Sequence, residues 1–107
     1  VKRNAALLVL VTLALAARAL SEERRVAITI DDLPVETALG ADEALALTES
    51  LLGALRSHRA PATGFVIGQN VLVKEQVDAR LALLEKWLDA GMALGNHTFS
   101  HESLNET

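Results

Sequence analysis

No cysteine occurs in the 107 residues. That absence excludes a disulfide-stapled scaffold, a cysteine-type zinc finger, a thiol nucleophile and a bacterial lipid-anchor cysteine. Basic charge is in short supply as well. The formal net charge is −4, which argues against nucleic acid as a partner, because a phosphate binder needs a basic face. Repeats, linkers and low-complexity stretches are missing after the first 19 residues. What the chain does have is apolar residues, 50% of the total. That is too many for a disordered tail, and the length allows at most one small domain.

The apolar residues are unevenly spread. Lys2 and Arg3 precede a run from Ala5 to Ala17 that only Thr12 interrupts, and Ala17-Arg18-Ala19 supplies a small-x-small exit. A charged start, a short apolar centre and a small-residue end are the marks of a secretory signal. The run falls short of the roughly 20 residues that span a bilayer, and it has no polar face to suit a core helix. Residues 1–19 are therefore expected to be a cleaved signal peptide, with no stable membrane span afterwards. Cleavage would remove three basic residues and no acid, leaving an exported chain, periplasmic or secreted, of 88 residues with a net charge near −7.

From residue 20 the sequence reads strand, helix, strand, helix, strand. Val26-Ala27-Ile28-Thr29-Ile30 is a β-branched run expected to end at Asp31-Asp32-Leu33-Pro34, since proline cannot continue a ladder. Asp42 to Ser57 has helical spacing, with Ala44, Leu47, Leu51 and Leu55 on one stripe and Asp42 as its cap. Thr63 to Ile67 follows Pro61 as a second strand. A second helix is expected from Lys74 to Ala90, its stripe formed by Val77, Leu81, Leu84 and Leu88, with Trp87 in the core. Gly91 suits a left-handed C-terminal cap. Met92 to Gly95 is then a third strand that delivers His97 at its carboxyl end. Alternation of this kind predicts a parallel βαβαβ arrangement.

The chemistry-bearing residues follow strands. Parallel strands bring their carboxyl ends to one edge, where α/β proteins place their sites, so Asp31-Asp32 and His97-x-x-x-His101 are expected to converge. The four-residue spacing would set two imidazoles on one side of a helical turn, and two imidazoles plus one carboxylate suit a divalent metal. A solvated loop is the other reading of that pair. Thr98 stands where a His-Glu-x-x-His protease has its glutamate, which argues against that class. For Asp31-Asp32 the competing reading is a turn or a helix cap. His58 reads as a cation at a helix end.

Taken together these residues resemble the first two motifs of the polysaccharide deacetylase family, the NodB-homology carbohydrate esterases. Thr29-Ile30-Asp31-Asp32 is similar to the family's Thr-aromatic-Asp-Asp apart from Ile30, and His97-Thr98-Phe99-Ser100-His101 fits its His-Ser/Thr-x-x-His. Pro61 to Val66 and Gly91 to Asn96 resemble the family's second strand and its approach to the histidines. The resemblance covers about Val26 to Asn105. It implies a metal-dependent hydrolase that removes acetyl groups from N-acetylated or O-acetylated carbohydrate. Asp31 would be the catalytic base, Asp32, His97 and His101 would hold the metal, usually zinc, and Thr98 and Ser100 would orient the ligands. Leu33 stands where many members have glycine, a change expected at the rim beside the metal. Members form a distorted (β/α) barrel of about twice this length, and their later arginine, tryptophan and histidine motifs, the last a general acid, have no counterpart here. The expectation is thus the first part of such a barrel, residues 20–107, apparently truncated. Three strands cannot close a barrel, so this piece alone is expected to be poorly folded and catalytically silent. The alternative is an inactive metal-binding or interaction module.

Overall fold

A computed structural model of the chain describes residues 2–19 and 23–106. Residues 20–22, where the expected mature chain begins, and Thr107 lie outside the described residues. The apolar leader forms α1 (Lys2–Ala19), exposed along its length through Ala17. No helix among the described residues is long and apolar enough to cross a membrane.

The remainder is a three-stranded parallel sheet in the order β1-β2-β3, built from β1 (Ile28–Leu33), β2 (Ala62–Val66) and β3 (Ala93–Asn96). α2 (Ala41–Ser57) links the first two strands, and α3 (Gly68–Val71) with α4 (Val77–Asp89) links the last two. This is the βαβαβ alternation expected from the sequence. Gly91, at φ +80°, ends α4. The Met92 N–H donates to the Trp87 carbonyl and the Gly91 N–H to that of Leu88, the reciprocal pattern that satisfies the last carbonyls of a helix.

Several local expectations need correction. Gly40 is the N-cap of α2 and offers no side-chain cap, and Asp42 lies in the first turn. Its buried residues are Ala44, Thr48, Leu52 and Leu55, so the stripe is turned away from Leu47. The chain from Lys74 to Gln76 is a turn, with Glu75 at φ 66°, and α4 begins only at Val77. α4 also turns a different face inward: Arg80, Leu83 and Trp87 are buried, while Leu81 and Leu88 are exposed. Both faces carry helical periodicity, and the inward one was disguised by an arginine. Trp87 is 1% exposed at the centre of the core, with Leu33, Leu52, Leu55, Ala62 and Met92 around it. Gly64 makes room there, because a Cβ on it would overlap Leu33 and Trp87.

β1 is the strand that positions the site, and it does not stop at Ile30. Ile30 pairs with Gly64 and Leu33 with Val66. Two residues, Asp31 and Asp32, therefore stand opposite the single residue Phe65. That is a β-bulge, an extra residue that bends the strand and re-aims its side chains.

Candidate metal and hydrolytic site

On a regular strand Asp31 and Asp32 would point to opposite faces. The bulge removes that conflict. Asp32 adopts the left-handed conformation at φ 64°, which aspartate tolerates better than most residues. Both carboxylates then reach the same imidazole: His97 Nε2 lies 3.4 Å from Asp32 Oδ1 and 4.0 Å from Asp31 Oδ2. Leu33, one residue on, turns fully inward at 3% exposure. Its side chain packs in the core beside Gly64 and Trp87, and it also lines the cavity that Asp31 and Asp32 border.

The histidines arrive on a loop and not on a helical turn. The His97 N–H donates to the Val66 carbonyl (2.9 Å), which extends the β2–β3 pairing by one residue. Beyond it Thr98 and His101 both take positive φ, 69° and 55°. Two side-chain contacts shape the reversal. Asn96 Oδ1 accepts from the Thr98 N–H (2.7 Å), and Thr98 Oγ1 accepts from the His101 N–H (2.9 Å). The imidazoles meet edge to face with their centres 4.7 Å apart. His101 Nε2 comes within 3.9 Å of Asp32 Oδ1. Thr98 thus acts on the loop backbone, whereas Ser100 is half-buried and makes no side-chain hydrogen bond among the described residues.

The loop is also docked from outside. Gly68 and Gln69 at the start of α3 donate to the carbonyls of Thr98 (3.1 Å) and Phe99 (2.9 Å). A Cβ on Gly68 would stand 2.5 Å from the Phe99 ring, so only glycine permits this approach. Phe65 lies over Gly95 in the same way and reaches the His97 ring at 6.4 Å between centres.

One ligand atom from each of Asp32, His97 and His101 lies within 4.8 Å of the other two. Tetrahedral ligands about 2.0–2.1 Å from zinc are separated by roughly 3.3 Å, so the 3.4 and 3.9 Å from Asp32 to the imidazoles are close to a zinc set. Two imidazole nitrogens and one carboxylate leave a coordination position open for water or substrate. His97 is the most enclosed of the group at 29% side-chain exposure, while both aspartates are more than half exposed. His58 is exposed at the end of α2, next to the start of β2 and hence at the opposite edge of the sheet.

Sequence reasoning missed Arg80 and Asn70. Arg80 is 1% exposed, and no carboxylate lies within ion-pair distance of it among the described residues. Its guanidinium donates instead to the backbone carbonyls of Val35 (3.1 Å), Glu36 (3.0 Å), Thr37 (3.4 Å), Leu39 (3.0 Å) and Asn70 (2.8 Å). Nε adds a bond to Gln76 Oε1 (3.2 Å). Burial lowers its pKa from the usual arginine value, and arginine stays charged nonetheless. Asn70 is buried as well, and its Nδ2 donates to the Asp32 carbonyl (3.2 Å). The segment held by Arg80 walls a cavity of about 430 Å³ that Asp31, Asp32, Leu51 and Trp87 also line. The one signal in the sequence was a charged residue on a helix flanked by leucines.

Comparison with known proteins identifies the family. The family model described as Polysaccharide deacetylase matches residues 19–107. Neither curated proteins nor solved structures give a match.

Proposed function

The chain belongs to the polysaccharide deacetylase family, and from that premise we propose that it is a metal-dependent hydrolase of acetylated carbohydrate. Its bond would be the carbon–nitrogen bond of an N-acetyl group, or the ester of an O-acetyl group, and not a peptide bond. The observation that carries the reading is the convergence of Asp31 and Asp32 on His97, with His101 alongside.

Asp32, His97 and His101 would hold the metal, most simply zinc. When bound, the ion supplies Lewis-acid polarisation of the acetyl carbonyl and brings the pKa of water towards about 7. Asp31 is the carboxylate left outside the ligand set, and its Oδ2 stands 4.0 Å from His97 Nε2. It accepts the proton of the attacking water. Thr98 holds the reversal that presents His101, the usual role of groups behind a metal ligand. Acetate leaves, and the amine must gain a proton. His58 stands at the opposite edge of the sheet, and the proton that Asp31 has taken from water is the one available to the amine. The leader α1 is assigned to export, to the periplasm or the exterior, as a cleaved signal.

An activated ester separates the two halves of this chemistry, because its leaving group needs no acid. With Zn2+ the full chain is expected to hydrolyse 4-nitrophenyl acetate, and Asp31→Asn to abolish that while still binding Zn2+. Acetate released from N-acetylglucosamine oligomers under the same conditions, and lost in Asp31→Asn, would carry the reading from ester to amide. Zn2+ binding without any ester hydrolysis by the wild type would favour the second reading, a metal-binding module without turnover. The exposure of both aspartates is what favours that reading, since hydrolytic sites gain from excluding water.

A further inference from the structure

Arg80 is an anomaly wherever it is placed on the scale of burial. A buried cation is costly unless it is paired, yet its six acceptors are five backbone carbonyls and one amide oxygen. Such a charge adds little to stability beyond what an apolar side chain of the same size would give. Its partners explain it better. Four of the carbonyls belong to residues 35–39, which leave β1 directly after the bulge. The fifth is that of Asn70, whose side-chain amide donates to the carbonyl of Asp32. The bulge turns that carbonyl out of the β1–β2 ladder: the next bond across the strands runs from the Ile67 N–H to the Leu33 carbonyl. Asn70 gives it a partner, and Arg80 fixes Asn70.

We propose that Arg80 and Asn70 are positioning residues for the metal site, holding Asp32 in its left-handed conformation so that its carboxylate faces His97 and His101. The inference rests on the reading of Asp32, His97 and His101 as a metal site. Arg80 does this from both flanks of the bulge, through Asn70 on one side and through the 35–39 segment on the other. A planar fork with five N–H groups is suited to gathering several carbonyls at once, and a lysine ammonium with three donors is not. Neither residue touches the metal, so each acts through the geometry of Asp32.

The test is the Zn2+ affinity of the full chain, with the visible spectrum of the Co2+ form as a report on ligand geometry. Asn70→Ala removes one hydrogen bond and is expected to weaken Zn2+ binding about tenfold or more, the range seen when groups behind metal ligands are lost. Arg80→Lys should weaken it at least as much, and both variants should alter the Co2+ spectrum. Leu55→Val, a core change at the far end of α2, should lower the melting temperature and leave affinity and spectrum unchanged. Should Arg80→Lys fail to fold, Asn70→Ala decides the matter alone. Wild-type affinity in a folded Asn70→Ala would overturn the inference, as would equal weakening in Leu55→Val, which would reduce Arg80 to a structural plug. A wild-type chain that binds no Zn2+ would instead refute the metal reading itself, and the inference would fall with it.

Discussion

Asp32 is asked to do two things that oppose each other, and Asp32→Gly separates them. The side chain is a proposed ligand, while the backbone sits at φ 64°. That region costs an L-residue about 1–2 kcal/mol, less for aspartate than for most. Glycine escapes the cost but gives back about 0.5–1 kcal/mol through its greater freedom when unfolded. The Asp32 carboxylate is more than half exposed, so little packing is lost. Metal-free Asp32→Gly is therefore expected to be as stable as the wild type, or more stable by up to about 0.5 kcal/mol, roughly 2–4 °C for a domain this small. With Zn2+ at a hundred times its dissociation constant, the wild type gains about 2.7 kcal/mol, or some 10–20 °C, whereas the glycine variant should lose most of that shift. Asp32→Ala supplies the contrast, because alanine pays the left-handed cost in full and should melt below the wild type without metal. Melting curves with and without Zn2+, taken near pH 8 so that protons do not compete for imidazole nitrogen, read all four numbers. A metal-free Asp32→Gly several degrees less stable than the wild type would refute the account of the bulge. A retained Zn2+ shift would refute the ligand.

Two further predictions address the supports of the site and the core. Gly68→Ala places a methyl group 2.5 Å from the Phe99 ring and 3.4 Å from its Cα, so the 97–101 loop must move; calorimetric titration should show Zn2+ affinity lowered tenfold or more, with about 1–3 kcal/mol of stability lost to overpacking. On α4, Trp87→Ala should cost about 3–5 kcal/mol and Leu88→Ala under about 0.5 kcal/mol in urea denaturation, and comparable losses would mean that the helix turns its other face inward.

The elements were legible because each has a strong local cause. A β-branched run gave β1, Pro61 and the Thr63–Ile67 run gave β2, three- and four-residue spacing gave α2 and α4, and Gly91 marked the end of α4 and the approach to β3. The convergence of Asp31-Asp32 with His97 followed from parallel topology alone. What could not be read was phase and local backbone. Val77, Leu81, Leu84 and Leu88 make as good a stripe as the one the fold uses, and counting apolar residues rejects the face that carries Arg80. The four-residue separation of His97 and His101 suits a helix equally well as a loop with two left-handed residues. The Asn96 and Thr98 side-chain bonds, with the docking of Gly68 and Gln69 on the loop carbonyls, select the loop. The bulge at Asp31-Asp32 had no sequence signal beyond Pro34, which suggested an ending where the strand in fact bends.

The misread face of α4 and the strained residues of the site have one cause. Helix α4 could turn Leu81 and Leu88 inward only by carrying Leu83 and Trp87 outward with Arg80, because the three share one face. It would then leave the Val35, Glu36 and Leu39 carbonyls without the guanidinium that gathers them, and buried carbonyls without partners are costly. Those carbonyls need a partner because residues 35–39 fold back after the bulge. The bulge exists where two consecutive carboxylates share one cavity. The departures from local preference thus run in one chain: Asp32 in a left-handed conformation, an arginine inside and two leucines outside. Such departures gather where function competes with folding. Here they gather around Asp32, which assigns the strain on β1 and the burial of Arg80 to the same site.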